Sequence, residues 1–167
     1  MKKWLSVMAL VTSPVWAAGM HDGGHGMSHG DHAAMMGHHQ SAGASAAGQA
    51  GDPAKVSRTI EVKMDDSMRF TPAKISVKAG ETIRFFVKNT GKTGHEMVIG
   101  TAAELKEHAE MMRKMPDMQH NDANMLRLAA GQRGGLVWTF SQAGTVDFAC
   151  LVPGHFESGM KGQVAVE

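Results

Sequence analysis

The chain contains one cysteine, Cys150, followed at five-residue steps by His155 and Met160. Far upstream, Gly94-His95-Glu96 opens a short apolar stretch that ends at Ile99. One thiol, two imidazoles and one thioether make up a soft donor set, the ligand set of a mononuclear type 1 copper site. Each donor type has a chemical role there. A thiolate bonds Cu(II) covalently, and imidazoles accept both oxidation states. A weak thioether holds the geometry between the preferences of Cu(I) and Cu(II), which limits reorganisation when an electron moves. A single Cys excludes an internal disulfide framework and any Cys-rich zinc site.

The rest of the composition points the same way. The 167 residues include 15 Met and 10 His. Imidazole suits copper in either state and thioether suits Cu(I), although Met also fills cores. The formal net charge of +1 excludes the basic face that a nucleic-acid binder needs. Met1-Lys2-Lys3 precedes a mainly apolar run from Trp4 to Val15, and Val15-Trp16-Ala17 has the residue types of a signal-peptidase site. Residues 1–17 are expected to be a secretory signal peptide, with the 150 residues that remain exported to the periplasm. Cleavage after Ala18 instead would create Gly19-Met20-His21, a terminus able to wrap Cu(II) in a square-planar nitrogen site. No second apolar stretch reaches membrane length, so no membrane anchor is expected.

Residues 18–52 hold His21, His25, His29, His32, His38 and His39 with Met20, Met27, Met35 and Met36, and no Leu, Ile, Val, Phe or Trp. Such a segment cannot bury enough apolar surface to offset its ordering entropy, so a disordered tail is expected. Its His and Met could act as loose copper ligands or as incidental residues of a linker.

From residue 53 the pattern becomes that of short strands separated by Gly-containing turns. Ile60, Val62 and Met64 share one face, as do Ile75 and Val77, and Ile83, Phe85 and Val87. Further strands are expected at His95 to Ile99, Gly135 to Phe140, Thr145 to Cys150 and Gly162 to Glu167. About seven such strands predict an all-β antiparallel sandwich over residues 53–167. One helix interrupts it, opening on the capping box Thr101-Ala-Ala-Glu104 and stopping at Pro116. His108, Met111, Met112 and Met115 fall on one side of that helix, with Met118 and His120 in the connection that follows. That stripe is either a packing face or a second copper site.

With Cys-x4-His-x4-Met and an upstream Gly-His, residues 53–167 resemble the cupredoxins, the small blue-copper proteins. The resemblance implies a Greek-key β-sandwich that binds one type 1 copper ion at one end, through His95, Cys150, His155 and Met160. The four residues between Cys150 and His155 are closer to azurin and rusticyanin than to plastocyanin-like proteins, which usually have two. Gly94 is similar to the azurin residue whose carbonyl faces the copper. Glu96 departs from the Asn or Ser common after the first His ligand. Dinuclear copper would need a second Cys, and the oxidases' trinuclear cluster needs His on both sides of it. Ala149 and Leu151 stand there, so no enzyme activity is expected. The His/Met-rich tail and the Met-rich insertion further resemble the periplasmic copper-tolerance cupredoxins of proteobacteria, the CopI type.

Two functions follow. The first is a copper-handling and tolerance protein with a redox-active copper. The alternative is a soluble, monomeric electron carrier serving a periplasmic cytochrome or another redox protein. It would dock through an apolar rim of Leu151, Val152, Pro153 and Phe156 around His155.

Overall fold

The computed structural model describes residues 45–116, 118 and 120–167. The expected signal peptide and the His/Met cluster from Met20 to His39 lie outside the described residues.

Among the described residues, ten strands form two five-stranded sheets. The first takes β1 (Gln49–Ala50), β2 (Arg58–Asp65), β3 (Arg69–Thr71), β5 (Thr82–Asn89) and β8 (Arg133–Thr139), in the order β1-β8-β5-β2-β3. The second takes β4 (Lys74–Val77), β6 (His95–Gly100), β7 (Met125–Leu128), β9 (Gly144–Ala149) and β10 (Lys161–Val166), in the order β4-β10-β9-β6-β7. Alternation along each strand builds the core between the sheets, because successive side chains point to opposite faces. In β5, Ile83, Phe85 and Val87 are buried and Arg84 and Lys88 are exposed. Val164 and Val166 of β10 and Ile75 and Val77 of β4 face them from the other sheet. Phe70 meets Phe148 edge to face at 5.0 Å between ring centres, across the sheets.

The sheets are not purely antiparallel. β2 pairs with β5 in parallel, and β10 with β4. The chain leaves the first sheet after β3, runs β4 in the second and returns to lay β5 beside β2. A crossover that passes through the opposite sheet brings a strand back in its original direction, which alternation alone does not reveal.

One further expectation changes. Residues 45–52, assigned to the tail by composition, belong to the fold. Ser45–Gly48 closes a turn, β1 pairs with β8, and Gly51 N donates to Val137 O at 3.0 Å. Ala47 is buried, and its carbonyl accepts the indole N–H of Trp138 at 2.7 Å. The segment is held by main-chain pairing at a sheet edge. That pairing needs no large apolar side chains, the signal that composition reads.

The helix α1 (Ala102–Lys114) starts where expected, with both arms of the capping box formed. Glu104 N donates to Thr101 Oγ1 at 3.2 Å and Thr101 N donates to Glu104 Oε2 at 2.7 Å. It packs Leu105 and Ala109 on Val98, Ala149 and Leu151, on the outer face of the second sheet. This explains why all six residues of β6 are buried: one face lines the core and α1 covers the other. The Met stripe divides. Met112 is buried, but Met111, Met115 and Met118 are exposed. No helix among the described residues is long and apolar enough to cross a membrane.

Candidate metal centre

His95 is the first residue of β6, and its side chain is fully buried. Cys150 directly follows β9, and His155 and Met160 lie on the loop from β9 to β10. Main-chain bonds fold this loop onto itself, three of them at the expected residues. His155 N donates to Val152 O at 2.9 Å, Met160 N to His155 O at 3.1 Å, and Cys150 N to Met160 O at 3.1 Å. Gly154 and Gly159 take φ of +88° and +86°, a left-handed conformation that glycine adopts without a Cβ clash. Three of the four expected residues thereby converge. One ligand atom each from His95, Cys150 and His155 lie within 4.8 Å of one another. His95 Nδ1 is 3.2 Å from His155 Nδ1, which is 3.3 Å from Cys150 Sγ. Met160 is fully buried in the same core cluster as Cys150.

The donor set fits a copper ion. Burial pushes the Cys150 thiol up to about 11, against the backbone N–H groups of Glu96 and Val152, which favour the thiolate. At neutral pH this sulfur keeps its proton unless a cation takes its place. Burial, and then the facing His95, hold His155 below the usual imidazole range, so it offers a lone pair.

Supporting residues absent from the expected ligand set hold these donors. Asp66 Oδ1 lies 3.1 Å from His95 Nε2, so the other ring nitrogen, Nδ1, faces the site. Asp66 is itself gripped by Lys92 N, Thr93 N and Thr93 Oγ1 at 2.7, 3.2 and 2.8 Å. The Lys92 N–H first, then the Thr93 hydroxyl, hold its carboxyl well below the usual carboxylate range. Glu96, the departure noted in the sequence, is buried on the outer face of β6. Its amide donates to Cys150 Sγ at 3.4 Å. Its carboxylate accepts from Leu151 N and from Arg127 Nε, both at 3.1 Å. One residue thus ties the strand of the first His to the loop of the Cys. Nothing in the local spacing marks Asp66. Glu96 is marked only by its place beside a ligand.

The expected rim around His155 is smaller than the sequence suggests. Leu151 is buried beneath α1, and Phe156 packs partly against the same cluster, with Lys161 Nζ 4.8 Å above its ring. Val152 is half-buried and Pro153 exposed.

Residues 56–167 match the family of copper binding proteins described as plastocyanin/azurin. The chain is 49% identical over 162 residues to the copper-resistant cuproprotein CopI of Rubrivivax gelatinosus, across 97% of this chain and 93% of that one. It is 38% identical to the protein of the same name from Vibrio cholerae, across 95% of each. Among solved structures, a dithionite-reduced auracyanin from Roseiflexus castenholzii aligns with a TM-score of 0.58 and 26% identity, over 67% of this chain and 98% of that one. Auracyanin B aligns with a TM-score of 0.61 and 23% identity, over 72% and 96%, and shares the fold.

Proposed function

The chain belongs to the plastocyanin/azurin family of copper-binding proteins and is a cupredoxin of the CopI type, and from that premise we propose that it protects the periplasm from excess copper through a redox-active type 1 site. The observation that carries this reading is the convergence of His95, Cys150 and His155 in a buried pocket held by Asp66 and Glu96. Met160 is the fourth, weaker ligand, because its main chain is bonded to both Cys150 and His155. Bound there, copper supplies a one-electron Cu(II)/Cu(I) couple. The protein's part is to keep the donors in one arrangement in both states. His95 is anchored by Asp66, Cys150 by the Glu96 amide, and His155 by a loop closed on its own main chain. The leader directs the chain to the periplasm, and the His and Met of residues 20–39 add loose copper ligands. The names of the relatives, copper-resistant cuproproteins, support the tolerance role.

The test is Cys150→Ser. The variant should lose the intense thiolate-to-copper absorption and fail to restore growth in excess copper to a strain lacking the protein. Retained colour would refute the ligand set, and full rescue by the colourless variant would refute the role of this site in tolerance.

One observation favours electron transfer as a second reading. His155 is the partly exposed ligand, and Val152 and Pro153 stand beside it at the surface. Reduction by a periplasmic cytochrome should slow in Val152→Glu. An unchanged rate would remove the docking role of this patch.

A further inference from the structure

Beyond the type 1 centre, α1 and the connection after it bring a second pair of imidazoles together. His108 Nε2 lies 3.0 Å from His120 Nε2, with ring centres 4.6 Å apart and planes tilted by 41°. The corresponding values for His95 and His155 are 3.2 Å, 4.9 Å and 51°. The two pairs therefore present nearly the same arrangement of facing nitrogens.

Three further observations point to a ligand between them. His120 Nδ1 is 2.7 Å from Asp122 Oδ2, which places its proton on Nδ1 and leaves the Nε2 lone pair directed at His108. Burial, and then the neighbouring His120, hold His108 below the usual imidazole range, so His108 too offers a lone pair. Third, most of the Met that neighbour the pair along the chain do not serve the core. Met111 lies one helical turn beyond His108 and is 36% exposed, Met115 lies a further turn on at 42%, and Met118 stands between the two His in sequence at 39%. Only Met112 of this stripe is buried. A hydrogen bond between the two rings would account for the rings alone and give the exposed Met no role.

We propose that His108 and His120, completed by a thioether from Met111 or Met112 on the next turn of α1, form a second metal site for a soft monovalent cation, Cu(I). Imidazole with thioether suits Cu(I), whereas Zn(II) takes N, S-thiolate and carboxylate donors. Asp122 occupies the far nitrogen of His120, so it supports the ligand from outside. The site stands apart from the type 1 centre, since it uses none of the same donors.

The experiment uses the full chain under anaerobic conditions, with Cu(I) partitioned against a chromophoric Cu(I) chelator. The comparison is with the double variant H108Q/H120N, which keeps the tail and the type 1 ligands. The variant should bind one fewer tight Cu(I) per chain, while its Cu(II)-loaded form keeps the type 1 absorption of the wild type. Met111→Leu with Met112→Leu conserves volume and removes sulfur, and should weaken the same Cu(I) about tenfold or more. Equal Cu(I) binding in H108Q/H120N and the wild type would overturn the proposal. Loss of the type 1 absorption in that variant would overturn it too, by making the pair a support of the first centre. Displacement of this Cu(I) by an equal concentration of Zn(II) would overturn the choice of cation. Failure of the type 1 reading would show separately, as colour retained in Cys150→Ser.

Discussion

Glu96 shows what one residue can decide. A buried carboxylate is costly unless it is paired and hydrogen-bonded. Here both oxygens are used, one by Leu151 N and the other by Arg127, which lies directly opposite it in the β6–β7 register. Glu96→Ala should strand the Leu151 amide and cost about 3 kcal/mol in urea unfolding. It should also weaken copper binding about 10- to 100-fold, as loss of a ligand's support does in other metal sites. Glu96→Gln can still accept from Leu151 N and should retain most of the copper affinity. Equal losses in the two variants would mean that the charge matters more than the loop bond. Arg127→Ala should cost less, about 1 kcal/mol, because Arg127 is 45% exposed and water can take its place.

Among the elements, β1 carries no apolar side chain larger than that of Ala50 and has a clear test. Gly48 has φ of +107°, and a Cβ there would stand 2.2 Å from Thr139 O and 2.8 Å from Trp138 Nε1. Gly48→Ala should therefore lower stability by about 2 kcal/mol, from backbone strain plus displacement of the strand. Deleting residues 18–52 should lower the melting temperature, because the Trp138 indole N–H and the edge of β8 lose their partners. Deleting residues 18–44 should leave it unchanged. Equal melting temperatures for the two deletions would show that β1 adds nothing to the fold. The same pair of proteins tests the tail, since copper per chain should fall equally in both.

For the whole molecule, a polar clamp joins the two sheets at the start of β5, away from the metal centre beyond its end. Arg58 of β2 donates to Ser76 O of β4 at 2.7 Å and to Glu81 at 2.8 Å. Glu81 also accepts from Lys78 N at 2.9 Å. The Arg58 hydrogen bond first, then those from Lys78 N and Ser57, lower the Glu81 carboxyl to about 2. Its unfolded value is about 4.3. The group binds protons more readily when unfolded, so its stabilisation is present above that value and is lost as pH falls toward about 2. Arg58 is half-exposed, which limits the gain to within about 1 kcal/mol. Glu81→Gln should be less stable than the wild type at pH 7, with the difference closing below pH 4. A constant difference across that range would exclude the ionised clamp as its source.

The sequence by itself determined the candidate donors and most of the sandwich. Cys150, His155 and Met160 lie on one short loop, so their spacing carries the geometry of the loop, and period-two alternation marks strands whatever their partners. Only the tertiary structure decided what holds the ligands. Asp66 is 29 residues from His95, and Glu96 is 55 from Leu151. Such pairs are set by which strands the crossovers make neighbours, and local periodicity carries no trace of that. The same holds for residues 45–52, ordered by main-chain bonds rather than by apolar side chains, and for the Met of α1. Their spacing fits a packing face and a ligand face equally well. Folding the helix onto β6 buried Met112, left Met111 and Met115 exposed and brought His108 to face His120.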